Sequence, residues 1–314
     1  MAQKETKDYL QRAFNNPKSQ SKFALEISGK CVCNCFHCYA DILKKYPDMT
    51  TIESKQYLHI AKEIGFDKVY IVGGEPMLHP NIIEICKQAK ELGFFTILVT
   101  NGYRLNQEEI VKRLVPFLDQ IEISIRSNDA VIHNRIISGL DVKSQIIPSE
   151  NLNGGFKKSI DALVSLYNYK NKNNLQYKLI INHDLYSWSK LKQVNVLSSI
   201  IERVYKAGAV LDGFYLQIMT IAGRAKNNLE KFEIFKLSKN DLISALNDLR
   251  IIQESFSIKD CRLVDDPVSL RIVKNIGEIL LEYHKYIVLE NVPAICSGGF
   301  KPNVHEDLLF EGNI

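Results

Sequence analysis

The feature that most constrains the fold of this chain is a repeated change of hydrophobic period. Short apolar or alternating runs give way, again and again, to longer stretches with helical spacing. Strand patterns occur at residues 23–28, 68–72, 94–100, 121–125, 177–182 and 214–219, and helical patterns between them at 50–64, 81–92, 106–118, 156–169 and 188–206. Thr50-x-x-Glu53 has the form of a capping box, and Gly65, Gly93 and Gly208 follow three helix ends. Six strands interleaved with helices pair in parallel through right-handed crossovers. The expected fold is therefore α/β, a partial (β/α)6 TIM-like barrel. The polar stretch 128–153 is expected to be a functional loop or an insertion, and the Asn/Lys-rich 168–174 a solvated turn.

Barrels of this kind carry their chemistry at the carboxyl ends of the strands, and the unusual residues of this chain fall there. After the first strand comes Cys31-Val32-Cys33-Asn34-Cys35-Phe36-His37-Cys38, with Cys31, Cys35 and Cys38 spaced C-x3-C-x2-C. Three thiolates on one loop can hold three irons of a 4Fe–4S cluster and leave the fourth open to a ligand. Zinc is the other metal reading: Cys35 and Cys38 make a suitable pair, and Cys31, Cys33 or His37 could complete four ligands. A zinc knuckle usually has a second Cys or His pair nearby, and none is present. Gly73-Gly74-Glu75-Pro76 closes the second strand, and two adjacent glycines let the backbone bend and come close to a ligand. Thr100-Asn101-Gly102 ends the third strand and Ser124 lies in the fourth.

Composition excludes several classes. The 314 residues suffice for one large α/β domain with an appendage, and 46% hydrophobic with 24% charged residues is ordinary globular content. The net charge of +4 is spread without a block of like charges, which argues against a nucleic-acid tail. No apolar run reaches the roughly 18 residues of a membrane helix, and residues 1–20 lack the apolar core of a signal peptide. A cytoplasmic protein is expected, in which clustered cysteines are metal ligands rather than disulfides; the odd total of seven cysteines agrees.

The cysteine loop together with Gly73-Gly74-Glu75-Pro76 resembles the signature of the radical S-adenosylmethionine (radical SAM) superfamily. The resemblance covers roughly residues 20–225. It implies one 4Fe–4S cluster on Cys31, Cys35 and Cys38, with Cys33 a bystander and His37 packing near cluster or SAM. It further implies that the Gly73-Gly74 backbone meets the amino group of SAM, with Glu75 positioning the turn. Ser124 and Arg135 sit at nearly the separation of a Ser/Arg pair that contacts the SAM ribose and carboxylate in related enzymes, and a guanidinium fork suits a carboxylate. Arg126 stands where those relatives often carry Asp. Asn101 is either a turn residue or a ligand.

The implied reaction is reductive cleavage of SAM to a 5′-deoxyadenosyl radical that abstracts a hydrogen from a C–H bond. A flavodoxin- or ferredoxin-like electron donor is implied with it. The expected organisation is a polar lead-in (1–20), the core barrel (21–225) and a carboxyl-terminal extension (226–314). Gly223-Arg224-Ala225 resembles a tripeptide found at the same point in relatives with a cluster-bearing extension. Cys296, followed by Gly312, resembles the opening of a SPASM extension, which the chain leaves unfinished at Ile314; an auxiliary cluster is not expected. That tail points to a peptide or protein substrate; the alternatives are an enzyme acting on a small metabolite and a non-catalytic iron–sulfur or zinc-binding interaction module. Only 30 residues precede Cys31, so no leader-binding domain is expected before the core.

Overall fold

The computed structural model describes residues 22–38, 47–139, 154–186, 194–218, 239–258 and 260–264, with Lys7 and Gln11. Seven strands lie side by side in chain order: β1 (Lys22–Glu26), β2 (Lys68–Val72), β3 (Phe95–Thr100), β4 (Gln120–Ser124), β5 (Lys178–Leu185), β6 (Gly213–Ile218) and β7 (Asp260–Val264). Every neighbouring pair is parallel. The helices are α1 (Thr51–Ile64), α2 (Ile82–Glu91), α3 (Glu108–Leu114), α4 (Ala130–Ser138), α5 (Gly155–Lys172), α6 (Val196–Lys206) and α7 (Lys239–Phe256). Sequential order with parallel pairing means that each crossover carries the chain one strand along, as in a partial barrel. Among the described residues no helix is long and apolar enough to cross a membrane.

The core follows from strand alternation. Phe23, Leu25, Ile71, Leu98, Ile123 and Leu179 all lie on one face and pack against helix residues such as Leu58, Ile85, Val111 and Leu163. The other face is the concave inside of the sheet. The alternation at 121–125 predicts a strand with one solvated face, yet Gln120 and Glu122 are buried as deeply as their apolar neighbours. Curvature turns this polar face inward, where Glu122 accepts from Gln120 Nε2 (2.8 Å) and Asn182 Nδ2 (2.9 Å). Buried polar groups are tolerated when hydrogen-bonded in this way.

Several elements depart from the sequence reading. The helix expected over 188–206 begins only at Val196, after Asn195 in the left-handed region (φ 50°), and the one expected over 106–118 gives way to a 3-10 turn at Val115–Phe117. The piece around Cys261, expected outside the barrel, is β7, paired with β6 from Gly213↔Asp260 to Gln217↔Val264. Within 128–153, α4 forms behind an Asp129 cap that accepts from Ile132 N, and Gly139 ends it at φ 70°. The helix α5 runs on through Lys172 instead of ending at Tyr169. Its last turn is held by Lys170, which pairs with Asp212, and by Tyr169 packing on the core. The capping box is present: Thr50 Oγ1 accepts from Glu53 N and Glu53 Oε2 from Thr50 N.

Candidate active site at the carboxyl ends of the strands

The chain leaving β1 runs directly beside the chain leaving β2. Gly74 N donates to Ser28 O (2.6 Å) and Glu75 N to Lys30 O (2.7 Å), so the cysteine loop and the Gly73–Glu75 turn form one two-stranded ledge. This close approach explains both glycines. A Cβ on Gly73 would lie 2.5 Å from Ser28 O, and one on Gly74 would fall against Lys30 O and 3.2 Å from Cys31 Cβ. Those two N–H groups are engaged by the cysteine loop and are not available to a ligand.

Glu75 turns away from the ledge toward β3. Its buried carboxylate accepts from Thr100 Oγ1, from Asn101 N (2.8 Å) and from Met77 N (3.0 Å). Burial pushes its pKa up, against the pull of these three donors. The group therefore ties the ledge to the end of β3. Asn101 braces the turn after β3: its Oδ1 accepts from Tyr103 N (2.9 Å), while its Nδ2 lies 3.7 Å from Cys33 Sγ.

The cysteine loop is closed on its other side by α4, through Asn34 N to Ile137 O (2.7 Å) and Phe36 N to Ile136 O (3.4 Å). Cys31, Cys35 and Cys38 are partly exposed, whereas Cys33 is buried against Tyr103 OH (3.7 Å) and Asn101. The contact with Cys33 and burial push the Cys31 thiol up. For Cys33 the Cys31 contact acts downward, but Cys35 and burial carry it up to about 12. Crowded thiols cannot all ionise without a cation, so thiolate formation here is coupled to metal binding. Among the described residues no three His, Cys, Asp or Glu side chains converge on one point as a single ion would need. A cubane cluster instead takes its thiolates at separate corners, and three accessible soft ligands on one loop fit that demand.

Ser124 ends β4, in register with Asn182, and Arg135 sits half-buried on α4. Residues 223–225, Cys296 and Gly312 lie outside the described residues. Cys86 is a core residue of α2, its thiol pushed up by burial.

Sequence reasoning missed a buried charged group beside the loop. Asp184, near the end of β5, meets Arg126 Nη1 (2.7 Å), His37 Nε2 (3.1 Å) and Tyr186 OH (3.3 Å). Burial alone would raise its pKa, but Arg126 and His37 outweigh that and hold it well below the usual carboxylate range. Two buried histidines flank the group. His133 Nδ1 accepts from Arg126 N (3.0 Å), and His183 Nδ1 lies 2.7 Å from Ile125 O. The only local signal was Arg126 in place of the Asp common in related sequences.

Residues 25–145, which run from the end of β1 through the ledge and β2–β4 past α4, match the sequence model of the radical SAM superfamily. That segment of the chain is therefore similar to a radical SAM domain. Among curated proteins it is 25% identical over 238 residues, 74% of this chain, to an S-adenosylmethionine-dependent nucleotide dehydratase of Lacinutrix mariniflava. It is 29% identical over 113 residues, 35% of this chain, to an AdoMet-dependent heme synthase of Methanosarcina barkeri. The chain spans 45% and 32% of the length of these two relatives. Its fold resembles that of SuiB of Streptococcus suis, solved with its precursor peptide SuiA, at a TM-score of 0.54 and 16% identity, over 83% of this chain and 52% of that one. Within the matched segment the cysteine loop, the Gly73–Glu75 turn, Asn101 and Ser124 stand at the carboxyl ends of β1–β4.

Proposed function

We propose that this chain is a radical SAM enzyme that cleaves SAM reductively and uses the resulting 5′-deoxyadenosyl radical to abstract a hydrogen from a C–H bond. The observation that carries the reading is the ledge: the loop bearing Cys31, Cys35 and Cys38 is hydrogen-bonded backbone to backbone to the Gly73–Glu75 turn. A loop with three partly exposed cysteines thus lies against the Gly73–Glu75 turn at the carboxyl ends of β1 and β2. In this reading Cys31, Cys35 and Cys38 hold one 4Fe–4S cluster, which when bound supplies the electron for SAM cleavage. Gly73 and Gly74 receive the SAM ammonium, Glu75 keeps their turn against β3, and Ser124 and Arg135 meet the ribose and carboxylate. A flavodoxin- or ferredoxin-like protein delivers the electron.

For the substrate we infer a small molecule in preference to a peptide. The peptide expectation rests on the tail from Cys296, which lies outside the described residues, whereas both curated relatives are named for small-molecule reactions.

Anaerobic reconstitution tests the reading. About four irons per chain are expected, and SAM with dithionite should then yield 5′-deoxyadenosine. Cys31→Ala, Cys35→Ala and Cys38→Ala should each abolish product, and Cys33→Ala should leave it. Stoichiometric zinc without iron, or a loaded protein that forms no 5′-deoxyadenosine, would refute it.

A further inference from the structure

The charged group around Asp184 takes no part in the proposed chemistry, yet it reaches the cysteine loop directly. Three chain segments meet on one carboxylate oxygen, Oδ2: the loop through His37, the end of β4 through Arg126, and the end of β5 through Tyr186. Asp184 is 6% exposed. Tyr186 OH also lies 3.5 Å from His37 Nδ1, and the two rings meet edge to face.

Stability is a poor explanation for this arrangement. Taking an aspartate and an arginine out of water costs about what their attraction returns, and apolar residues of similar volume commonly serve as well or better. What such a group does provide is a fixed geometry, because His37 and Arg126 can share Oδ2 only when the loop lies over the end of β5. The loop entrance is anchored by main-chain bonds to Gly74 and Glu75, and its middle by main-chain bonds to α4. The exit, which carries Cys38, is anchored by the side chain just before it. A cluster held at three separate corners needs all three thiolates at set positions, and partners outside the ligand shell commonly set ligand orientation.

We propose that Asp184 is a positioning residue for the cysteine loop, fixing through His37 where Cys38 stands relative to Cys31 and Cys35. Arg126 balances the charge of Asp184 and holds it at the end of β4. The inference rests on the radical SAM reading, and the two fail differently. A wild-type chain that takes up no iron refutes that reading, whereas a wild-type chain that loads normally leaves Asp184 to be judged by its variants.

Asp184→Ala, Asp184→Asn, His37→Phe and the double variant Arg126→Met with Asp184→Leu are reconstituted beside wild type. Three quantities are read: resistance of the bound iron to a chelator, the electron paramagnetic resonance spectrum of the reduced cluster with and without SAM, and the melting temperature of the cluster-free protein. The double variant leaves no unpaired buried charge and should melt at or above wild type. It should nevertheless lose iron to chelator about tenfold more readily, within the 10–100-fold range seen when outer partners of metal ligands are removed, and its spectrum should change. His37→Phe, which keeps the Arg126–Asp184 pair, should behave alike and decides the matter should the double variant fail to fold. Asp184→Asn retains an acceptor for His37 and should hold iron better than Asp184→Ala. Wild-type chelator resistance with an unchanged spectrum in the folded double variant or in His37→Phe would overturn the proposal, as would equal losses in Asp184→Asn and Asp184→Ala.

Discussion

Gly74→Ala is the sharpest single perturbation of the ledge. The new Cβ would fall against Lys30 O, 2.8 Å from Lys30 C and 3.2 Å from Cys31 Cβ. Carbon atoms rest at about 3.5 Å or more from carbon and about 3.3 Å from a carbonyl oxygen, so the cysteine loop must retreat by roughly 0.7–1 Å, and the obstructing atoms are mostly backbone, which has no rotamer to yield. Overpacking of this kind costs about 1–3 kcal/mol. The retreat also strains Gly74 N to Ser28 O and Glu75 N to Lys30 O, each worth about 1 kcal/mol. The total is about 3–5 kcal/mol, a large part of the ~5–15 kcal/mol that stabilises a typical domain. Urea unfolding followed by circular dichroism should register that loss, and iron uptake should fall because Cys31 moves with Lys30. Gly208→Ala is the control: nothing lies within 4 Å of its added Cβ, but its φ is 91°. It should cost about 1–2 kcal/mol from conformation alone and leave iron uptake intact. A Gly74→Ala protein with wild-type stability and wild-type iron would refute the apposition of loop and turn.

Two further outcomes follow from the packing. Burial, reinforced by Arg126, depresses His133 to about 3, and burial depresses His183 to about 4 against the upward pull of Asp184 and the Ile125 carbonyl, so below pH 6.5 the unfolded chain binds more protons than the folded one. Stability should fall with pH by about 1.4 kcal/mol per unit for each histidine, or about 4 kcal/mol in all between pH 8 and pH 5. The depressed Asp184 adds nothing there, since its contribution is lost only below the ordinary carboxylate range. Urea midpoints that stay level from pH 8 to 5 would contradict the burial of both rings. Gly213→Ala would set a Cβ 2.6 Å from both Asp260 O and Ile180 Cδ1, prising β7 from β6 at a cost of about 1–3 kcal/mol. Hydrogen exchange should report lost protection over Asp260–Val264, and unchanged protection would show that β7 is not held as described.

The sequence by itself determined whatever is written in short range. Periods of two and of helical spacing, with Thr50, Gly65, Gly93 and Gly208 as punctuation, place strands and helices in alternation, and alternation forces parallel strands. Parallel strands in turn bring Cys31, Gly73, Asn101 and Ser124 to one end of the sheet. Even here the reading stopped where local pattern was weak: the start of α6, the Asp129-capped turn of α4 and the last turn of α5; the strand-like piece around Cys261 was legible, but its place beside β6 was not. What only the tertiary structure decided depends on which strands are neighbours and how the sheet curves. Curvature turned the polar face of β4 inward and gave Glu122 its partners. Neighbouring strands set Arg126 beside Asp184, and brought Tyr186 to His37 across 149 positions of chain. The two glycines after β2 were legible as a turn that approaches a ligand. Only the structure showed that the nearest thing they approach is the cysteine loop itself, because a close contact between segments distant in the chain leaves no periodic trace in either.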